Sequence, residues 1–213
     1  MSLHALEPID LYCERTSALL WAEPVNALSN LAFMFAAWLL LRGMDRGAPA
    51  DLRALAWLTG LVGAGSLVFH TVAQVWASAL DVGFIAIFVI VYLHRALVRL
   101  HGWREPGASI AVTAMLVMSA GIAFAARAPA LNGSGIYLGP WLALIALALS
   151  CRQHLAGRWL RLAAALFAVS ILLRSIDKAV CASFPLGTHF GWHLLNAGVL
   201  WCCIRALQSA DHR

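Results

Sequence analysis

A chain of 213 residues that is 62% hydrophobic and only 12% charged, with a mean hydropathy of +0.80, carries more apolar surface than a water-soluble domain of that size can bury. Soluble proteins run to roughly 45–50% apolar and about 25% charged, so the composition predicts one integral membrane domain with no room for a second folded unit. The net charge of +5 lies in loops and forms no basic stripe on a soluble face, which excludes a nucleic-acid partner.

Residues 1–23 hold Glu7, Asp10, Glu14 and Glu23. They lack the basic start and early apolar run of a cleaved leader, so they are expected to persist as an extracytoplasmic N-terminal segment. A spanning helix takes about 20 apolar residues at a rise of about 1.5 Å each. On that measure the predicted spans are 24–42, 52–72, 79–98, 108–126, 136–151, 159–176 and 187–207, followed by a short cytoplasmic tail, 208–213. The breaks combine Gly, Pro and charge, as in Arg46-Gly47-Ala48-Pro49, Arg104-Glu105-Pro106-Gly107, Asn132-Gly133-Ser134-Gly135 and Phe184-Pro185-Leu186-Gly187. The expected fold is all-α: a bundle of seven transmembrane helices over 24–207, rich in the Ala and Leu of packed membrane helices.

Eleven of the fifteen Lys and Arg residues fall on one side of this map: Arg42, Arg46, Arg53, Arg95, Arg99, Arg104, Arg152, Arg158, Arg161, Arg205 and Arg213. The other side keeps Arg15, Arg127, Arg174 and Lys178. The positive-inside rule then places the N-terminus outside and the C-terminus in the cytoplasm. Short loops, the absence of long tails and high Ala, Leu and Arg content point to a bacterial inner membrane. Cys151, Cys202 and Cys203 lie in or below the membrane, whereas Cys13 and Cys181 fall on the oxidising side, either bridged or as two free thiols.

Polar residues at span ends are where function is sought, because ionisable groups in a bilayer are costly. His70 ends the second span, Asp81 begins the third, and His189 and His193 open the seventh, all toward the outer side and hence a metal site at the non-cytoplasmic end. The i, i+4 spacing of His189 and His193 sets two imidazoles on one helix face about 6 Å apart, suited to one tetrahedral ion. His70 would complete three nitrogen ligands and leave zinc a fourth position for water, with Asp81 as general base and Ser66, one turn from His70, hydrogen-bonding that water. The residues alone leave alternatives open. Imidazole also suits iron or haem, the histidines can be packing residues, Asp81 can cap its helix, and Ser66 can serve a small-residue contact with Gly63 and Gly65.

Together these residues resemble the alkaline ceramidase family, whose wider superfamily includes adiponectin-receptor-like proteins. Tyr12-Cys13-Glu14, the A-E-x-x-N-x-x-S-N pattern from Ala22 to Asn30, Gly65-Ser66-x-x-x-His70, Asp81 eleven residues on, and the His189/His193 pair occur in the family's order. The resemblance implies zinc on His70, His189 and His193, with Ser66 and Asp81 touching its water, and a membrane lipid partner: ceramide, split into a sphingoid base and a fatty acid. It also implies calcium near the N-terminus on Glu14 and Glu23, with Asp10 one residue out of the family's register and the Glu14–Glu23 interval two residues shorter. The alternative for these two is that Glu14 caps a helix start and Glu23 is a solvated charge.

Other polar residues have structural readings. Asn26, Ser29 and Asn30 are expected to join helices, Arg174, Asp177 and Lys178 to form a local ion pair, and Trp76, Trp141 and Trp192 to sit in an aromatic belt. His94, His101, His154 and His212 are expected to be solvated. Competing functions are hydrolysis of another acyl-amide or ester lipid, or a receptor, which the short loops disfavour.

Overall fold

The computed structural model describes residues 3–125, 131–151 and 155–210; Arg127, Arg152, His154, His212, Arg213, the last residue of the predicted fourth span and the end of the predicted tail lie outside them. Among the described residues the chain forms α1 (Pro24–Ser29), α2 (Leu31–Arg42), α3 (Ala50–Val72), α4 (Val75–His101), α5 (Glu105–Ala125), α6 (Leu138–Ser150), α7 (Leu155–Val180) and α8 (His189–Gln208). Every predicted span meets a helix, with two local differences. The first is divided at Asn30, and the fifth begins with a 3-10 turn over Ser134–Tyr137.

Five stretches are long and apolar enough to cross a membrane: Pro24–Arg42, Ala50–Val72, Val75–His101, Glu105–Ala125 and Leu155–Val180. The turn and α6 form a shorter apolar helix, Ser134–Ser150, and α8 is not among the five because His189, His193 and Asn196 lower its apolar character. Trp57, Phe35, Ile110, Val117, Phe124 and Leu149 lie on the surface. Such a belt would be an aggregation patch in water, whereas in lipid it is the solvated face. The chain is thus a multi-pass membrane protein.

The helix α8 is the axis of the bundle, packing on α7, α2, α1, α3 and α4. Its Ile204, Ala206 and Leu207 are fully buried. The pair α2 and α3 closes tightly at Gly63, where a Cβ would lie 2.7 Å from that of Phe33 and 2.9 Å from the Asn30 carbonyl oxygen. At the end of α3 farthest from the histidines, Asp51 accepts from Arg95 at 2.9 Å and from Arg99 at 2.7 Å, tying α3 to α4.

At the histidine end, the segment before α1 lies across the bundle as a strap. Ile9 N–H donates to the Ala73 carbonyl at 2.8 Å, Val75 N–H donates to that of Glu7 at 3.2 Å, and a disulfide joins Cys13 to Cys181 beyond α7. The disulfide resolves the two options left by the cysteine pattern. Gly187, at φ 64°, turns the chain into α8 in the left-handed region that favours glycine.

Three local expectations are corrected. Arg174, Asp177 and Lys178 do not pair with one another: Lys178 reaches Asp10 at 3.3 Å, Asp177 caps α8, and Arg174 faces the rings of Tyr12, Tyr137 and Trp192. Trp192 is buried in the core and so is no belt residue. His94 lies 3.3 Å from Glu105 and His101 lies 3.2 Å from the Ser150 hydroxyl, so neither is simply solvated.

Candidate metal centre

Two helices bring the histidines together. His70 lies in the last turn of α3, while His189 and His193 occupy successive turns at the start of α8. Asp177 fixes where α8 starts: its Oδ1 accepts from the backbone N–H groups of Thr188 at 2.7 Å and His189 at 2.9 Å, so a carboxylate lies at the positive end of the helix. One ligand atom from each of His70, His189 and His193 lies within 4.8 Å of the other two, and all three residues are buried.

Each ring is held from behind. Nδ1 of His70 faces Glu23 Oε2 at 2.6 Å, which leaves Nε2 directed inward. Nδ1 of His193 faces the Ser29 hydroxyl at 2.7 Å, which leaves its Nε2 toward the Ser66 hydroxyl at 3.5 Å. His189 stacks on the Tyr12 ring, centroids 3.5 Å apart and planes 14° from parallel. Burial pushes the Tyr12 phenol pKa up against the nearby positive charge of Arg174, so a neutral ring covers His189. Carboxylate or hydroxyl contact with one imidazole nitrogen fixes the tautomer and presents the other for coordination.

The donor set fits a metal ion on an observation independent of spacing. His70 Nε2 and His189 Nδ1 are buried with no hydrogen-bond partner, as is Asp81 Oδ1. Leaving buried polar atoms unpaired costs on the order of 1–3 kcal/mol each, and a cation held by the imidazoles removes that cost for the ring nitrogens that bind it. Ser66 and Asp81 are both at the cluster. Ser66 is buried beside His193, and Asp81, in the second turn of α4, lies next to Ser66 within electrostatic range of His70 and Arg174.

Asp10, Glu14 and Glu23 are placed differently from one another. Both Glu14 oxygens accept backbone N–H groups at the start of α1, from Val25 at 2.7 Å and Asn26 at 2.8 Å, making Glu14 the helix-start cap. Glu23 is not solvated: it is 1% exposed and accepts from Arg15 and from the Asn26 amide as well as facing His70. Burial opposes its ionisation, yet the hydrogen bonds and charges of His70 and Arg15 outweigh burial and hold its pKa below the ordinary value. Asp10 is exposed on Lys178.

The support around the rings was not read from sequence. Read from the sequence, Ser29 only joins helices, and nothing there ties Tyr12, Arg15 or Asp177 to the metal centre. A signal existed for Ser29, because it lies within the A-E-x-x-N-x-x-S-N pattern. Tyr12 and Asp177 reach their partners only through tertiary structure. The fold and site define a class: a multi-pass helical membrane protein with a buried three-histidine cluster able to hold a metal ion. Compared with models of known protein families and with curated proteins, the chain finds no match.

Proposed function

We propose that the chain is an intramembrane zinc-dependent hydrolase of linear amides, with ceramide or a closely related N-acyl lipid as substrate. In this reading α6 and α8 also span, giving seven crossings, with the N-terminus outside and the C-terminus in the cytoplasm of a bacterial inner membrane. The observation that carries it is the junction of a buried three-histidine cluster, the Asp81 carboxylate with one oxygen unpartnered, and an apolar cavity.

That cavity is lined by Val62, Phe88, Tyr92, Trp192, Asn196 and Cys203 among others. It begins one helical turn from the cluster, since Val62 is a turn from Ser66 on α3 and Asn196 a turn beyond His193 on α8. From His193 to Cys203 along α8 is about 15 Å, so the apolar lining runs about that far from the cluster. A small polar cluster closing an apolar slot matches an amide linked to an alkyl tail.

His70, His189 and His193 would hold the zinc, which when bound would supply Lewis acidity toward the amide carbonyl and toward water. Asp81 takes the proton of the attacking water and returns it to the amine as the carbon–nitrogen bond breaks. Ser66 donates its hydroxyl hydrogen to the carbonyl oxygen as negative charge gathers there. Glu23 and Ser29 hold His70 and His193 in the tautomers that leave their inner nitrogens free.

The test is purified protein offered N-acyl sphingoid bases, ester lipids and acyl-amino acids, with zinc content measured alongside. Amide turnover that disappears in His193→Ala and Asp81→Ala is expected, with zinc lost only in the former. Turnover surviving His193→Ala would overturn the zinc reading, and ester-only turnover would overturn the amide.

A further inference from the structure

Arg15 is a buried cation, 7% exposed, at the edge of the metal centre. Every contact of its guanidinium is an oxygen. Nε donates to Glu23 Oε1, Nη1 to the carbonyls of Ser17 at 3.1 Å and Leu19 at 3.3 Å, and Nη2 to the carbonyl of His70 at 3.2 Å. These oxygens come from the strap, from the residue preceding α1 and from the last turn of α3. A carboxylate plus carbonyls from separate segments is the donor set of a hard cation such as calcium. Here the planar fork of an arginine sits among them.

The remaining acidic groups expected to hold calcium are engaged elsewhere. Both Glu14 oxygens cap α1, Glu23 Oε2 is taken by His70 and Asn26, and Asp10 is out on Lys178. The only group of three or more His, Cys, Asp or Glu ligand atoms within metal-binding reach, among the described residues, is the histidine cluster. A divalent ion placed among these oxygens would lie against a fixed guanidinium, an uncompensated like-charge contact in a buried site. With that guanidinium in place, these oxygens do not accommodate calcium.

We propose that Arg15 is a built-in replacement for a calcium ion: a positioning residue whose guanidinium cross-links the strap, Glu23 and the His70 backbone, so that the metal centre assembles without a second inorganic cation. It acts on the centre by two routes through one ligand. It orients the Glu23 carboxylate that faces His70 Nδ1, and it holds the carbonyl of His70 itself. This rests on the reading of His70, His189 and His193 as metal ligands.

The experiment uses the full-length protein in detergent or nanodiscs, zinc-loaded, titrated with calcium chloride to about 1 mM, the weak end of protein calcium sites. Unchanged thermal unfolding and no heat of binding are expected; saturable calcium binding that raises the unfolding temperature overturns the proposal. A second arm compares Arg15→Gln and Arg15→Lys by zinc competition against a chelator and by the visible spectrum of cobalt-loaded protein. Arg15→Gln is expected to weaken zinc binding by about tenfold or more and to shift the cobalt bands, with Arg15→Lys intermediate. Zinc affinity and cobalt bands equal to wild type in Arg15→Gln overturn it. If Arg15→Gln does not fold, the calcium titration of the wild type still decides. Wild-type protein that binds neither zinc nor cobalt refutes the metal reading itself, a result distinct from both.

Discussion

Glu23→Gln is the most informative single change at the centre. The amide keeps the size of the carboxylate but removes its charge, and Glu23 is buried with Arg15 on one oxygen and His70 Nδ1 at 2.6 Å on the other. Removing one partner of a buried ion pair leaves the other uncompensated, at a cost of about 3–5 kcal/mol. Separately, His70 loses a charged acceptor, and losing such support behind a metal-bound histidine weakens metal binding about 10–100-fold, or roughly 1.4–2.8 kcal/mol. The two effects separate in the double variant Arg15→Met with Glu23→Gln. It removes the orphaned charge and should regain much of the unfolding temperature, while zinc affinity stays low because His70 still lacks its carboxylate. Thermal unfolding with and without chelator, and zinc competition in detergent, measure both quantities. Zinc affinity in Glu23→Gln within a factor of two of wild type would refute the claim that this carboxylate prepares His70.

Ser29→Ala removes the hydroxyl 2.7 Å from His193 Nδ1 and should lower zinc affinity about tenfold while costing only about 1 kcal/mol of stability, read by the same competition and melting assays. Cys13→Ser opens a bridge between residues 168 apart in sequence and should lower stability by about 2–5 kcal/mol, matching the effect of reductant on the wild type. Gly63→Leu drives a side chain into Phe33 and the Asn30 carbonyl and should abolish tight α2–α3 packing, seen as loss of a cooperative melt. Cys203→Phe fills the far end of the apolar cavity and should select against long acyl chains while leaving zinc content unchanged; equal turnover of short and long chains would remove the cavity from the substrate path.

Helices were legible in the sequence because a bilayer demands long apolar runs and the breaks between them carry Gly, Pro and charge. The division of the first span at Asn30 was not, since Asn26, Ser29 and Asn30 sit within a run that reads as apolar overall. The histidine pair on α8 was legible because i, i+4 spacing is local geometry, and His70 joined it as a polar residue at the same end of a span. What supports the rings was not, because it is decided by contacts far apart in sequence. Glu23 meets His70 across 47 residues, and Ser29 meets His193 across 164. Sequence patterning reports which face of a helix is apolar and says little about which polar groups meet across the bundle.

The strap shows how much of the centre depends on residues outside any span. Four consecutive side chains each engage a different element: Tyr12 stacks on His189 of α8, Cys13 is bonded to Cys181 beyond α7, Glu14 caps α1, and Arg15 holds Glu23 and the end of α3. The helices themselves need none of this to insert, since their apolar lengths begin at Pro24. Insertion and metal-site assembly are therefore separable steps, the second depending on the strap. Removing residues 1–15 should leave a membrane-inserted helical protein, seen by circular dichroism and membrane fractionation, that has lost its zinc affinity. Retention of wild-type zinc affinity by that truncated protein would show that the α3 and α8 histidines are held by helix packing alone, and the strap would then be a cover over a site that assembles without it.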